Sequence, residues 1–240
     1  MLVGNQSCTV SYSIPLHYGA NLVSYPFPFS NTLSSALPEE ATANLDGIVG
    51  EGVSAALLPD GTWVGSLTEF EGTKGYWFIS NEDVSSFSFN LNDGGFARHQ
   101  GFASNNNLLG YEFNQSAAQC FYYIKDIDIV EDGDWIIAYN NDVVVGGAQW
   151  KGYMTDVPVM GNDFGGAYSE DYMQNGEIPT FQIYDHNSGM ILDAEPSEEY
   201  GWSMWGNNMV DFQAEWVACR AGMITPRIIA MIINEACANQ

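Results

Sequence analysis

Short apolar runs that alternate with polar residues recur along this chain, and clusters of Gly, Asn, Asp, Ser and Pro interrupt them every few positions. That period predicts strands, with side chains pointing alternately to two faces. Residues 9–16 (Thr-Val-Ser-Tyr-Ser-Ile-Pro-Leu) predict a strand, and 20–27 another, broken by Pro26. Residues 32–37 predict a short helix, and 47–53 contain the turn Gly50-Glu51-Gly52. Residues 62–67 and 76–80 predict strands joined by the loop 69–75, and 84–91 close a first block. In a second block, 109–113, 118–129, 179–184 and 190–194 read as strands, the last two joined by the turn 185–189.

The clearest element is a hairpin. Trp135 to Tyr139 is apolar and partly β-branched, Asn140-Asn141-Asp142 tolerates left-handed backbone, and Val143 to Val145 returns, with Gly146-Gly147 predicted to end the strand. The pattern changes only at the end. In residues 211–238, Trp216, Val217, Met223, Ile224, Ile228, Ile229, Ile232 and Ile233 recur at helical spacing, and Thr225-Pro226 suits the start of a second helix. The expected class is all-β, with one or two sandwich-like units and a short C-terminal helical segment. The divisions are a β module over 1–91, a linker or long loop over 92–107 rich in Gly, Asn and Ser, a second β-sandwich module over 108–212, and a helical assembly segment over 213–240.

Charge narrows the partners. Thirty acids against six bases give a formal net charge of −24. Such a surface repels nucleic-acid phosphates and anionic membrane, so neither is an expected partner. No apolar run reaches the ~18 residues of a membrane span, and the first residues lack the basic and apolar regions of a secretory leader. Four cysteines (Cys8, Cys120, Cys219, Cys237) form no CxxC pair; reduced, mostly buried thiols are expected, and Cys219 with Cys237 is the most plausible local bridge.

The acid-rich loops are the candidate chemistry. Asp126, Asp128, Glu131, Asp132 and Asp134 lie close together, and Asp142, Asp163 and Asp171 sit in further turns. Hard oxygen ligands of this kind suit calcium, so Asp134, Asp142 and Asp163 are the candidate metal ligands, although no EF-hand loop is present. Apart from calcium no cofactor is expected. His17, His99 and His186 are far apart, with no zinc spacing, and read as surface histidines. The chain contains no Gly-x-Ser-x-Gly and no phosphate loop, and nothing in sequence sets one acid in an apolar pocket as glycoside hydrolysis requires. No catalysis is expected. The loop Tyr200-Gly-Trp-Ser-Met-Trp-Gly206 offers Trp202 and Trp205 as anchors for a partner, or as plugs for the end of the sandwich. Met223, Ile228, Ile229 and Ile232 offer a second, apolar docking surface.

Several phrases together resemble a known kind of module. They are Gly19-Ala-Asn-Leu-Val-Ser-Tyr-Pro26, Gly47-Ile-Val-Gly-Glu-Gly-Val-Ser-Ala55, and Trp63-Val-Gly-Ser-Leu67 followed by Gly75-Tyr-Trp-Phe78. A second set is Phe113-Asn-Gln-Ser-Ala-Ala-Gln-Cys-Phe-Tyr-Tyr123, Asp132-Gly-Asp-Trp-Ile-Ile-Ala-Tyr139, Val145-Gly-Gly-Ala-Gln-Trp150, Val157-Pro-Val-Met-Gly-Asn-Asp163 and Gly176-Glu-Ile-Pro-Thr-Phe181. Both sets resemble β-sandwich modules of large secreted surface proteins of marine bacteria, and similar modules in structural proteins of marine phages of the cyanophage type. The likeness runs over about residues 10–212 and implies a role in surfaces more than a reaction. The short chain without a leader favours the phage side. The expectation is a non-catalytic virion protein, a capsid decoration or a tail or fibre component, made in the host cytoplasm. Its expected partners are other virion proteins, further copies of itself, or a host-surface glycan. The alternative is an extracellular surface module that binds glycan or protein.

Overall fold

The computed structural model describes residues 13–90, 108, 110–127 and 130–213. The predicted linker 92–107 and the helical segment with Met223, Ile228, Ile229 and Ile232 lie outside the described residues, as do His99, Cys8, Cys219 and Cys237.

The described chain is mostly strand. Its first part contains β1 (Ile14–Leu16), β2 (Gly19–Ser24), β3 (Asn31–Thr32), β4 (Leu45–Val49), β5 (Ser54–Leu57), β6 (Trp63–Val64), β7 (Glu69–Phe70), β8 (Gly75–Ser80) and β9 (Val84–Phe87), with two one-turn helices, α1 (Leu33–Ala36) and α2 (Glu39–Thr42). A five-stranded sheet in the order β2-β8-β4-β5-β6 is flanked by the pairs β1-β9 and β3-β7. Its inner face carries a cluster of rings: Phe70 stacks on Tyr25 and Phe78, at centroid distances of 5.3 and 5.8 Å, and meets Phe89 edge-on at 5.4 Å. Edge and offset contacts of this kind add to the apolar burial of each ring. In β8, Tyr76, Phe78 and Ser80 are buried inward, while Trp77 and Ile79 are half-buried on the opposite face.

The second part contains β10 (Gln119–Ile124), β11 (Trp135–Asn140), β12 (Val143–Gln149), β13 (Thr155–Met160), β14 (Thr180–Asp185), β15 (Met190–Pro196), β16 (Asn207–Val210) and β17 (Phe212–Gln213). They form one sheet in the order β16-β10-β13-β12-β11-β14-β15-β17. The two outermost strands, β16 and β17, follow each other with Asp211 alone between them. The sheet therefore curls until one segment joins both edges, which removes the open edges that invite mispairing. Tyr122, Ile124, Ile136, Val145, Val157, Val159, Phe181 and Ile183 fill the inside.

The predicted hairpin is β11–β12, and the 185–189 turn joins β14 to β15 as expected. Other expectations change. Gly146-Gly147 do not end the strand: β12 runs on to Gln149, and a Cβ at Gly146 would collide with the Pro158 carbonyl, so glycine here permits close approach of β12 and β13. Residues 110–113 form no strand, and Thr155–Met160, not foreseen as one, is β13.

Candidate functional site

Three polar constellations stand out, and the strands above position each. The first lies where the two modules meet. Every residue of β10 is buried, because the strand is covered on both faces: Cys120, Tyr122 and Ile124 point into the curled sheet, and Phe121 and Tyr123 point at the first module. There they meet Val49 and Ala56 of β4 and β5, with Met154 completing the buried cluster, while Trp77 packs on Trp205 at 4.8 Å. Tyr123 pairs across the ladder with Asp156 of β13, which puts a hydroxyl and a carboxylate side by side in this apolar seam.

Asp156 is buried and has no cation partner among the described residues. Its Oδ2 accepts from Ser66 Oγ at 2.6 Å, from Ser54 Oγ at 3.1 Å and from the Ser54 amide at 3.2 Å. Ser54 Oγ lies 2.6 Å from the Tyr123 hydroxyl. One arrangement satisfies all of them: Tyr123 donates to Ser54 Oγ, and Ser54 donates to Asp156. Burial raises the Asp156 carboxyl above its ordinary 3.8, against the opposing pull of the Ser66 and Ser54 hydrogen bonds. Burial, with Asp156 beside it, also raises the Tyr123 hydroxyl well above 10. Gly65 (φ 112°) lies over this group; a side chain there would strike the Ser54 carbonyl and come within 2.9 Å of the Tyr123 ring. A second bridge crosses nearby, where Gln119 Nε2 donates to the Gly50 carbonyl at 3.1 Å and Gln119 Oε1 accepts from the Gly52 amide at 3.4 Å. The hydroxyl–carboxylate chain resembles a nucleophile relay only on paper. Asp156, Ser54 and Tyr123 are buried between two sheets, no histidine among the described residues hydrogen-bonds to them, and the tyrosine holds its proton.

The second constellation is at the end of the curled sheet where β11 begins. Asp134 is 3% exposed. Its Oδ1 accepts from the His186 amide at 3.0 Å and lies 2.8 Å from His186 Nδ1, and its Oδ2 accepts from the Glu131 amide at 2.9 Å. Gly133 lets the imidazole lie against the backbone: a Cβ there would be 2.9 Å from His186 Cε1. Asp134, Asp185 and His186 have ligand atoms within 4.8 Å of one another, the described group that could hold a metal ion. Asp185 Oδ1, however, accepts from the Asn187 and Ser188 amides, so these carboxylates already serve as turn latches.

The third constellation is the loop after β13. Asp163 accepts from the Gly165 amide at 2.9 Å, from Ser169 Oγ at 2.9 Å and from the Tyr168 hydroxyl in a short contact. These donors, Tyr168 first, hold its carboxyl down at about 2. Between them Phe164 stands 87% exposed, in left-handed backbone (φ 55°). An exposed aromatic at positive φ is uncommon for a bulky residue.

The candidate calcium ligands are not brought together. Asp134 precedes β11 and Asp142 follows it, and a six-residue strand separates its ends by about 20 Å. Asp163, after β13, lies at the Asp142 end but outside the group that could hold a metal ion. Trp202 is not a free anchor: it is 4% exposed, donates from Nε1 to the Val159 carbonyl at 2.9 Å, and plugs the curled sheet against Gly161. Trp205 (φ 66°) is an anchor within the chain, packed on Trp77 of the other module with the rings tilted by 35°. His17 is exposed, while His186 is held by Asp134. Cys120 is free and buried, and burial pushes its thiol up to about 11, which makes it unreactive. Sequence reasoning missed Asp156, Ser54 and Phe164. The available signal for Asp156 was an acid set inside an apolar run, Thr155-Asp-Val-Pro-Val-Met160. No protein-family model, no curated protein and no solved structure matches this chain.

Proposed function

We propose that this chain is a non-catalytic structural protein of a virion, a capsid decoration protein or a tail or fibre component, in which two β modules act as one body. The observation that carries the reading is the seam. A buried carboxylate and two buried hydroxyls, those of Asp156, Ser54 and Tyr123, connect module to module and are closed to a substrate. An assembly subunit needs such a fixed relation between its parts, whereas a hydrolase needs an accessible, activated group. The net charge of −24 suits a subunit that must stay soluble until it is built in, and it disfavours nucleic acid and anionic membrane as partners. On this reading the partners are other virion proteins or further copies of the chain, with host-surface glycan as an additional one. The protein is made in the host cytoplasm and ends in the particle.

Mass spectrometry of purified virions, with electron microscopy to place the density, tests this. The expected result is stoichiometric presence in the particle. Absence from particles, together with recovery from a cell surface, would replace this reading with the extracellular binding module. Reproducible glycan hydrolysis abolished by one carboxylate substitution would remove the non-catalytic part.

A further inference from the structure

We infer that the end of the curled sheet carrying Phe164 is a docking face for another protein, one whose surface offers an apolar socket rimmed by lysine or arginine. The inference rests on the reading of the chain as an assembly protein and names the face and the partner chemistry.

Topology gathers the face. The β11–β12 turn, the loop from β13 to β14, and the segment before β16 all lie at one end, and hydrogen bonds tie them together. Asn140 Nδ2 donates to the Asp171 carbonyl at 3.1 Å, the Gly176 amide to the Trp202 carbonyl at 2.8 Å, and the Trp202 amide to the Glu177 carbonyl at 2.6 Å. Of the exposed large apolar side chains, Phe164, Tyr168, Ile178 and Met204 belong to this end, while Tyr153 is at the opposite end and Tyr18 and Leu22 are on the first module. Buried Trp202 lies beneath and is the plug that fixes the loops.

Phe164 is presented, not merely left outside. Asp163 and Asn162 fix its loop, Asn162 Oδ1 accepting from the Phe164 amide itself at 2.8 Å. A bulky residue in left-handed backbone carries strain that a glycine would not, and such strain persists where the surroundings over-determine it. A rigid, exposed aromatic loses little entropy on burial and is the residue type that anchors interfaces.

Charge selects the occupant. Asp142, Asp163, Glu170, Asp171 and Glu177 lie in the turn and loop at this same end, and the bases Lys125 and Lys151 are at the other end of the sheet. A second copy would bring the same net charge of −24 to the contact, which disfavours self-docking. A basic rim around an apolar socket complements both features.

The test uses the full chain with the photo-crosslinker p-benzoylphenylalanine in place of Phe164, and in place of Tyr153 as the control, irradiated during particle production. The expected result is a crosslink from position 164 to one other protein, mapped to a segment bearing lysine or arginine, with none from position 153. Phe164→Gly is expected to leave the melting temperature unchanged or raised, because glycine relieves the left-handed strain, while association falls about tenfold or more, the effect of losing one anchor. No crosslink at position 164, a crosslink to a second copy, or undiminished association of Phe164→Gly would each overturn the inference. Presence in virions without the crosslink leaves the structural-protein reading standing and removes the docking face. A crosslink to a basic protein of a cell surface keeps the face and removes the virion.

Discussion

Asp156 and Asp163 both collect hydrogen bonds from serine hydroxyls and backbone amides, and their carboxyls are shifted in opposite directions. Asp156 is enclosed between two sheets, where desolvation outweighs its hydrogen bonds and favours the neutral acid. Asp163 stands in a loop that water reaches, where the same kinds of donor meet little desolvation and favour the anion. Acceptor count alone therefore does not say what a carboxylate does; its burial decides. In the seam the carboxylate joins modules at a cost in charge burial, and in the loop it shapes a surface.

The largest break in the seam is expected from Phe121→Ala. Phe121 is fully buried between the modules, and loss of such a ring costs about 3–5 kcal/mol, read as a shift of the denaturation midpoint. Asp156→Ala follows. It strands the Ser54 amide and removes the acceptor of two hydroxyls, at a cost of about 3 kcal/mol, whereas Asp156→Asn keeps an acceptor oxygen and costs less. The pH dependence sharpens the contrast. With its native carboxyl raised, Asp156 binds protons more readily in the folded chain, so its contribution to stability falls as pH rises from 3.8 through the raised native value. Asp163 runs the other way: its contribution is present above 3.8 and is lost as pH falls toward about 2. Urea unfolding across pH should show the first slope vanish in Asp156→Asn and the second vanish in Asp163→Asn.

Asp134→Ala at the far end of the curled sheet is expected to cost about 1–2 kcal/mol, through the Glu131 and His186 amides it leaves without an acceptor. The smallest effect is local. Tyr168→Phe should move the Asp163 carboxyl from about 2 toward 3.8 in a carbon-detected NMR titration while the β sheets keep their chemical shifts.

The fold was legible in the sequence where local chemistry agrees with tertiary structure. The Asn140-Asn141-Asp142 turn between β-rich runs specified its hairpin, and Asn141 does take left-handed backbone (φ 53°). β13 was not legible, because Pro158 demotes a strand reading. The structure tolerates it where β12–β13 pairing is sparse: Gly146↔Val159 is the register contact between them. Residues 47–53 show their turn, Gly50-Glu51-Gly52, but not the strands β4 and β5 on either side, whose outer-facing Val49 and Ala56 only the second module covers. The same reason hid the seam. Ser54 and Asp156 are distant in sequence and look like ordinary solvated residues until two sheets enclose them. In sequence the tryptophan loop fits either anchor or plug, and only packing separates Trp202, inside the curled sheet, from Trp205, across the seam.

The account turns on the seam joining the two modules into one cooperative body. Differential scanning calorimetry of the full chain tests this most directly. The predicted result is a single transition for the described modules, with equal calorimetric and van't Hoff enthalpies, that separates into two transitions in Phe121→Ala with Asp156→Ala. Two resolved transitions in the unaltered chain, unchanged by those substitutions, would contradict it.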